Sequence, residues 1–353
     1  MRSALGVVEV RRRNDGRVSL PAFACIGGLW GTDLHDVSRD SGVLEGAGRW
    51  IAVLPYDGEQ IFLRFGSWSP SRPAWIADTW LGPTRESWTS SFDKAAYCAA
   101  VESTREAIAR GDVYQANICR VMSAVIDESQ SLLGLFERLV TGNPAPYSAI
   151  VHAPEIGVEI ASASPELFLR RNGAALMSGP IKGTGRTEAD LLDKDAAENV
   201  MIVDLVRNDL SRVCLTGSVE VPRLLAVEEH PGLVHLVSHV SGLVTPDMTW
   251  TSILSSTFPP GSVTGAPKSS ALRLIGALEP ASRAVYCGAL GWVQDHGREA
   301  EFAVTIRTFW KHGSSLQFGT GAGITWGSDP VAEWQETELK ARRLIDLASE
   351  EQS

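Results

Sequence analysis

Short apolar runs that alternate with period two recur along the whole chain, and glycine, proline or aspartate ends most of them. In the first 90 residues they include "RWIAVLPY" and "EQIFLRFG", and later in the chain "LVHLVSHVSG" and "EFAVTIRTF". Such alternation is typical of β-strands with one buried face. Helical patterns interrupt these runs without the regular strand–helix–strand rhythm of a parallel sheet. The sequence therefore predicts an α+β fold, with large antiparallel β-sheets packed as a sandwich and helices outside.

The chain has 353 residues, of which 44% are apolar and 21% are charged. This composition is ordinary for a globular protein with ample core. Residues 1–90 are predicted to form a short β-rich subdomain that completes the sheets. Residues 91–350, in which helical stripes become frequent, are predicted to form the main domain and to carry the site.

Charge and cysteine usage exclude several classes of function. The net charge is −10, which argues against nucleic acid as a partner because phosphates bind basic surfaces. No apolar run approaches the ~20 residues that cross a bilayer, so no membrane partner is predicted. The five cysteines are scattered and lack the paired spacing of a zinc site or a disulfide framework. With no signal-peptide pattern at the N-terminus, these features predict a cytoplasmic protein.

The segment "SGPIKGTGRT", residues 178–187, places one lysine among glycine, proline and small polar residues. It follows "ASASPELFLRRNGAALM", which predicts two strands around an Arg-Asn-Gly turn. Gly179, Pro180 and Gly183 break the second strand, so Lys182 is predicted on a stiff loop. Because exposed lysines are common, this stretch alone leaves a plain surface role open.

The segment "DPVAEWQETELKARRLIDLAS" predicts a closing helix, with Asp329 as its N-cap and Pro330 at its first position. Glu333, Glu336 and Lys340 then fall on one face. Two interpretations stay open here. The face is either solvated, with an i, i+4 Glu–Lys pair, or part of a polar site.

A second helix, predicted from "EADLLDKDAAENVMIVDLVRNDLSRV", carries Glu198 just before an apolar run, so this carboxylate points at least partly inward. A buried carboxylate needs a cation. One carboxylate from each of two helices, with a ligand carboxylate and waters, would make a Mg²⁺-type site. The alternative is that Glu198 only pairs with Arg207 or Arg212.

Two glycine-rich segments are poor matches to nucleotide motifs. In "PPGSVTGAPKS" the glycine and lysine are not adjacent, as a Walker A loop requires, and "GTGAG" lacks the third glycine of a dinucleotide fingerprint. Glycines still let backbone N–H groups approach an anion. Arg307, predicted inside an apolar strand, is suited to grip a carboxylate. Together these features indicate a pocket for a small polyanion held partly through Mg²⁺.

The chain resembles the chorismate-utilising enzymes: anthranilate synthase component I, aminodeoxychorismate synthase component I, isochorismate synthase and salicylate synthase. The resemblance runs from about Tyr97 to Ile345, and residues 1–90 match poorly. The segments that carry it, in order, are "GDVYQANICR", "SPELFL", "PIKGT", "AENVMIVDLVRNDLSRV", "HLVSHVSG", "FPPGSVTGAPKSSALRLI", "TIRT", "GAGI" and "DPVAEWQETELKA".

The resemblance implies a role for each matching position. It makes Glu198 and Glu336 the Mg²⁺ ligands, supported by Glu333, around the ring carboxylate of chorismate. His235 is implied beside the departing C4 hydroxyl. The implied substrate-binding positions are Arg307, Lys340, the backbone at Gly321, Ala322 and Gly323, and the side chains of Gln115, Thr184 and Ser262, the last in place of a family threonine.

Two positions separate the branches of the family. Isochorismate and salicylate synthases carry a lysine where this chain has Gln115, whose amide cannot act as a base. Anthranilate synthases have alanine at the position of Lys182. Aminodeoxychorismate synthases have lysine there, as this chain does. The resemblance makes Lys182 a nucleophile at C2, which must be neutral to attack, and Glu166 its general acid and base.

The activity implied is conversion of chorismate and ammonia to 4-amino-4-deoxychorismate, for para-aminobenzoate supply in folate or secondary metabolism. The ammonia would come from a separate glutamine amidotransferase subunit. The alternative within the family is 2-amination of the anthranilate type. The alternative from another class is a regulatory protein that binds chorismate without catalysis, which would be expected to lack Lys182, Glu198 or Glu336, and this chain has all three.

Overall fold

The computed structural model of the protein describes residues 20–185, 187–190, 193–230 and 233–350. Within them eighteen strands are linked by antiparallel pairing into one continuous sheet. In chain order the strands are β1 (Phe23–Ile26), β2 (Leu29–Ser38), β3 (Trp50–Leu54), β4 (Ile61–Ser69), β5 (Thr89–Ser90), β6 (Gln115–Val125), β7 (Tyr147–Ala153), β8 (Val158–Ser164), β9 (Leu167–Asn172), β10 (Ala175–Gly179), β11 (Ile181–Gly185), β12 (Glu220–His230), β13 (Leu233–Leu243), β14 (Gly265–Ala266), β15 (Ala289–Gln294), β16 (Glu299–Val304), β17 (Thr308–His312) and β18 (Ser315–Ile324).

Six α-helices accompany the strands in the part of the chain that is described. They are α1 (Lys94–Ala109), α2 (Leu133–Gly142), α3 (Asp193–Ser211), α4 (Trp250–Thr257), α5 (Lys268–Leu278) and α6 (Pro330–Ala348). The long predicted helix is therefore shorter than its pattern, because a 3₁₀ turn at Glu188–Asp190 precedes α3. No helix among the described residues is both long and apolar enough to cross a membrane.

The pairings run through the sheet in the order β6–β18–β17–β8–β7–β1–β2–β4–β3–β15–β16–β9–β10–β13, and β11 and β12 both pair with β13. Strands β1 to β4 thus lie between β7 and β15, whereas β5 pairs with β6. The prediction that residues 1–90 form a short β-rich subdomain that completes the sheets stays a prediction.

One apolar core contains side chains from strands that lie far apart along this path. It includes Ile51 and Phe62 from β3 and β4, Val151 and Ile160 from β7 and β8, and Phe302 from β16. Side chains from distant parts of the sheet meet in this core, so the sheet folds over on itself as a sandwich. A second core packs α2 and α6 against β17 and β18. The predicted α+β sandwich with helices outside is confirmed.

Helix α6 begins where the sequence predicts. The Asp329 carboxylate accepts hydrogen bonds from the backbone N–H groups of Val331 and Ala332, and Pro330 takes the first helical position. These contacts satisfy N–H groups that have no partner inside the helix. The buried stripe of α6 includes Leu344 and Ile345. The helix start is thus fixed by local sequence.

The strands around Lys182 are partly as predicted. β9 and β10 form the expected hairpin, with Gly173 in the left-handed conformation at its turn (φ 60°). The prediction of a loop at Lys182 is wrong, because Lys182 belongs to β11, which pairs with β13. Gly183, with φ 75°, makes a bulge in this pairing. The strand, and not a loop, therefore holds the lysine in place.

Candidate functional site

Lys182 lies where three strands that are distant in sequence come together. A side chain at Gly323 of β18 would begin 3.7 Å from the Lys182 ammonium nitrogen and would collide with the amide nitrogen of Gln115. Gln115 begins β6, is buried, and its Oε1 has no hydrogen-bond partner among the described residues. Glycine at 323 is what leaves room for this approach. The structure therefore joins three of the predicted residues in one place.

Glu166 faces the same place from the turn between β8 and β9. Its carboxyl accepts hydrogen bonds from the Ser262 side chain and the backbone N–H of Ile181, and the Lys182 and Arg307 charges act on it. Burial raises its pKa to about 7, while these four partners oppose the shift. A carboxyl with a pKa near neutral is suited to both give and take a proton.

The prediction that Arg307 lies inside a strand is wrong, although the residue does point inward. It lies between β16 and β17 with φ 52°, in the left-handed region, and its carbonyl accepts from the Ala163 N–H at 3.0 Å. The apolar alternation of this segment conceals the break. Burial lowers the pKa of Arg307 and the Glu166 charge opposes that shift. The turn thus brings a guanidinium towards the Glu166 carboxylate.

The glycine segment of β18 meets the predicted polar face of α6. The Lys340 ammonium donates to the Gly321 carbonyl at 3.2 Å and lies 2.6 Å from Glu336 Oε1. The expected i, i+4 pair therefore forms, and it lies against the β18 backbone that is predicted to bind substrate. Ala322 is fully buried, and a side chain at Gly321 would start 2.7 Å from the Cys119 sulfur.

The predicted metal ligands are carboxylates on two helices, α3 and α6. Glu333 is buried and accepts a hydrogen bond from Ser328 at 2.6 Å, whereas Glu336 is about half exposed. Glu198 is partly buried on α3. Among the described residues, no three acidic, histidine or cysteine side chains form a metal site by themselves. Mg²⁺ commonly uses one or two carboxylates with waters and substrate oxygens, so the chemistry of these donors fits it.

The alternative partners of Glu198 are engaged by other residues. Arg207 pairs with Asp204 at 2.8 Å, and Arg212 donates to the Asn208 side chain at 3.3 Å. Both contacts join residues three or four positions apart, at the C-terminal end of α3 or directly after it.

His235 and Thr184 occupy facing positions on β13 and β11. His235 is buried, and it lies one register position from Leu236, the partner of Lys182. The side chain of Thr184 lies outside the described part of the structure. Register alone therefore brings His235 near the Lys182 strand.

Several residues that the sequence analysis missed support the site. Asn199, fully buried beside Glu198, donates to the Leu236 carbonyl at 3.1 Å and accepts from Ser238 at 2.5 Å. Lys268 pairs with Asp209 at 2.6 Å and donates to the Thr257 carbonyl at 2.9 Å. Each is a polar residue in an apolar stretch of helix or next to one, and that was the only available signal.

Comparison with known proteins gives the family of this chain. A family model described as chorismate binding enzyme matches residues 77–346. The chain belongs to the chorismate binding enzyme family. The matched range includes every residue of the site described above.

Two curated relatives of this family member have different names. The chain is 36% identical over 273 residues to anthranilate synthase component 1 1 of Haloarcula marismortui, covering 74% of this chain and 55% of that protein. It is 34% identical over 303 residues to aminodeoxychorismate synthase component 1 of Bacillus subtilis, covering 80% of this chain and 63% of that protein. The aligned region thus spans less than two thirds of either relative.

Solved structures share the fold. Anthranilate synthase component I from Streptococcus pneumoniae superposes with a TM-score of 0.75 at 24% identity, covering 92% of this chain and 90% of that one. A putative 2,3-dihydroxybenzoate-specific isochorismate synthase from Bacillus anthracis gives a TM-score of 0.75 at 23% identity, covering 92% and 95%. At these identities the comparison supports the architecture alone.

Proposed function

We propose that this chain is an aminodeoxychorismate synthase component I, which converts chorismate and ammonia to 4-amino-4-deoxychorismate. The observation that carries the proposal is the placement of Lys182 beside Gln115 and Gly323, with Glu166 in electrostatic contact. A primary amine next to a carboxyl of neutral pKa is a nucleophile with its own acid and base. The relative in Bacillus subtilis carries the same name at 34% identity.

The proposed reaction has two displacements. The neutral Lys182 amine attacks C2 of chorismate, the two ring double bonds shift, and the C4–O bond breaks. The hydroxyl leaves as water with the proton that Glu166 supplies, and Lys182 becomes a secondary ammonium. Ammonia then attacks C4, the double bonds shift back, and the C2–N bond breaks to release neutral Lys182. The new ammonium returns one proton to Glu166, which restores the starting state.

The remaining residues bind and orient the substrate. Arg307 and Lys340 supply cations for the enolpyruvyl carboxylate, with the backbone of Gly321, Ala322 and Gly323. The buried Oε1 of Gln115 is an acceptor that suits a donor on the substrate or on ammonia. His235 is assigned to the C4 hydroxyl, and Ser262 and Thr184 to the pocket wall.

Mg²⁺ is part of the proposal, since the family resemblance and the carboxylate donors both fit it. Glu198 and Glu336 would hold the ion, and Glu333 would support them. When bound, Mg²⁺ supplies positive charge that offsets repulsion between these glutamates and the ring carboxylate of the substrate.

The second candidate is 2-amination, because the Haloarcula relative at 36% identity is named as an anthranilate synthase component. Lys182 favours 4-amination, since an amine bonded to C2 blocks that carbon from ammonia. The proposed partner for glutamine-dependent turnover is a separate amidotransferase subunit, which delivers ammonia to this chain.

The identity of the product tests the proposal. The purified chain is incubated with chorismate, ¹⁵N-ammonium and Mg²⁺, and the product is analysed by mass spectrometry and NMR. We expect nitrogen on C4, retention of the enolpyruvyl group and no release of pyruvate. Anthranilate with stoichiometric pyruvate would instead identify the 2-amination enzyme.

A further inference from the structure

A buried ion pair, Glu279 with Arg283, lies behind the site and has no part in the chemistry proposed above. The guanidinium binds the carboxylate through two contacts, 2.8 Å from Nε to Oε2 and 2.6 Å from Nη2 to Oε1. Arg283 is 1% exposed and lies over the Tyr56 ring at 4.5 Å. Two charges so fully removed from water are costly unless every donor is used.

The remaining donors of Arg283 reach two separate backbone segments. Nη1 donates to the Val263 carbonyl at 2.9 Å, and Nη2 donates to the Asn117 carbonyl at 2.6 Å. Glu279 Oε1 also accepts the Cys119 N–H at 2.8 Å. The pair therefore joins β6 to the short turn Gly261–Val263 that precedes β14.

Both segments carry residues of the proposed site next to these contacts. Ser262 adjoins Val263 and lines a small cavity with Glu166, where hydrogen bonding from its side chain lowers the pKa of that carboxyl. Gln115 is two residues from Asn117 on the same strand, so their side chains point to the same face. A shift of either segment by a few tenths of an ångström would change the contacts of Glu166 or of Lys182.

We infer that Arg283, held by Glu279, is a positioning residue: it fixes the Ser262 turn against β6 and, through Ser262, the hydrogen bonding of the Glu166 carboxyl. This inference deepens the proposed function, because it concerns how the acid–base group of that site is set. Arg283 itself touches neither Glu166 nor Lys182 in the described contacts.

The charged groups that face Glu166 have to be separated from this effect. Lys182 on β11 and Arg307 between β16 and β17 act on it directly. Asp209 of α3, paired with Lys268, lines a small cavity together with Glu166 and Ser262. None of these four residues contacts Arg283 among the described interactions, so a change at Arg283 removes no direct contact of theirs.

The test is a double-mutant cycle between Arg283→Lys and Ser262→Ala, read out as the pKa of Glu166. The carboxyl is titrated by difference infrared spectroscopy, wild type against Glu166→Gln, in the ligand-free protein. Loss of the Ser262 hydrogen bond removes a stabiliser of the carboxylate, so Ser262→Ala should raise the pKa by about one unit. Arg283→Lys should raise it in the same direction, and the double variant should shift it no further than Ser262→Ala alone.

A matched control and a milder variant keep structural damage distinguishable. Arg171 is buried and donates to two carbonyls, those of Gly173 and Met248, away from the Ser262 turn. Arg171→Lys should lower thermal stability to a similar extent but leave the Glu166 titration unchanged. Glu279→Gln keeps the shape of the partner and weakens its hold on Arg283, so it should produce part of the Arg283→Lys shift.

An unchanged Glu166 titration in Arg283→Lys and Glu279→Gln would overturn the inference, as would shifts that add to that of Ser262→Ala. The titration does not depend on turnover, so it is readable even if the wild-type product is not 4-amino-4-deoxychorismate. Where turnover is measured, the alkaline limb of the pH profile of kcat/KM for chorismate should move to higher pH in parallel, because Glu166 supplies a proton in the first displacement.

Discussion

Glu166 is buried at a position where an ionised carboxylate is unfavourable, and this has a cost in stability that depends on pH. Its pKa is about 7 in the folded protein against an ordinary value of 4.5. The folded state therefore binds more protons than the unfolded state between these values, and the free energy of unfolding falls as pH rises through that window. The stabilisation that comes from keeping this carboxyl protonated in the folded state is fully present below pH 4.5 and is lost above about pH 7.

Glu166→Gln removes this dependence, because the amide stays neutral. Relative to wild type, its free energy of unfolding should rise by about 2–3 kcal/mol between pH 4.5 and pH 8, measured by urea denaturation at several pH values. Glu338→Gln, on the exposed side of α6, is the control and should show no such trend. A pH-independent difference for Glu166→Gln would contradict the raised pKa.

Lys182 decides both the rate and the position of amination in the proposed mechanism. Lys182→Ala should lower 4-amination by about a thousandfold or more, since the covalent route is lost. Because C2 is then open to ammonia, the remaining product is expected to include the 2-amino compound. Rates and products are measured by chromatography with mass detection.

Lys182→Arg separates the covalent role from a purely electrostatic one. Arginine keeps the positive charge but is a poor nucleophile, so this variant should be as inactive as Lys182→Ala. Wild-type protein given chorismate without ammonia should show added mass on the peptide that contains Lys182. Near wild-type 4-amination by Lys182→Arg would refute the covalent role.

At the scale of elements, α6 carries three predicted site residues on one face, and its start is fixed by Asp329 and Pro330. Glu336 pairs with Lys340, which also binds the Gly321 carbonyl of β18. The helix therefore connects the proposed metal ligand Glu336 to the β18 backbone that is proposed to bind the enolpyruvyl carboxylate. A change at Glu336 should affect metal and substrate together, not one of them alone.

Removal of metal tests this arrangement. Turnover should disappear in excess chelator and return with added Mg²⁺. Glu336→Gln should raise the Mg²⁺ concentration needed for half-maximal rate by at least about 100-fold, the upper range seen for residues that only support a metal ligand. Glu338→Gln, on the same helix, should leave that concentration unchanged. Full turnover in chelator would remove Glu198, Glu333 and Glu336 from their assigned roles.

The helices and most strands could be predicted from local patterns, because caps, glycine stops and alternation are properties of neighbouring residues. The conformation of Arg307 could not, since "EFAVTIRTF" alternates through the break. That residue has a left-handed φ, and its carbonyl is hydrogen-bonded to β8, which lies more than a hundred residues away in the chain. For the same reason Lys182 was expected on a loop, although pairing with β13 makes it part of a strand.

The composition of the site depends on the whole molecule. Gln115, Lys182 and Gly323 come from three strands and Glu166 from the turn between β8 and β9, and only the folding of the sheet brings them together. From residue types alone the sequence predicted a polyanion pocket. The assignment of individual residues came from resemblance to a family. The support by Asn199 and by the Glu279–Arg283 pair could not be predicted, because a polar residue in or near an apolar stretch does not itself show which contacts it makes.

The source of nitrogen is also a property of the whole chain. Glutamine hydrolysis by an amidotransferase requires a reactive thiolate, and no cysteine here lies in a Gly-x-Cys-x-Gly turn. Burial raises the pKa of Cys25 and of Cys214 to about 11, and it raises that of Cys119 well above its ordinary value. Thiols with such pKa values are almost entirely protonated near neutral pH.

The purified chain should therefore use ammonium salts but not glutamine as the nitrogen source. Its rate with ammonium should rise with pH as the fraction of free ammonia increases, within the range where Glu166 allows turnover. Addition of a separate glutamine amidotransferase subunit should confer glutamine-dependent product formation. The assay is product formation with ¹⁵N-amide glutamine, with and without that subunit, and with ammonium as the positive control. Labelled product from glutamine and the pure chain alone would show that this chain hydrolyses glutamine itself.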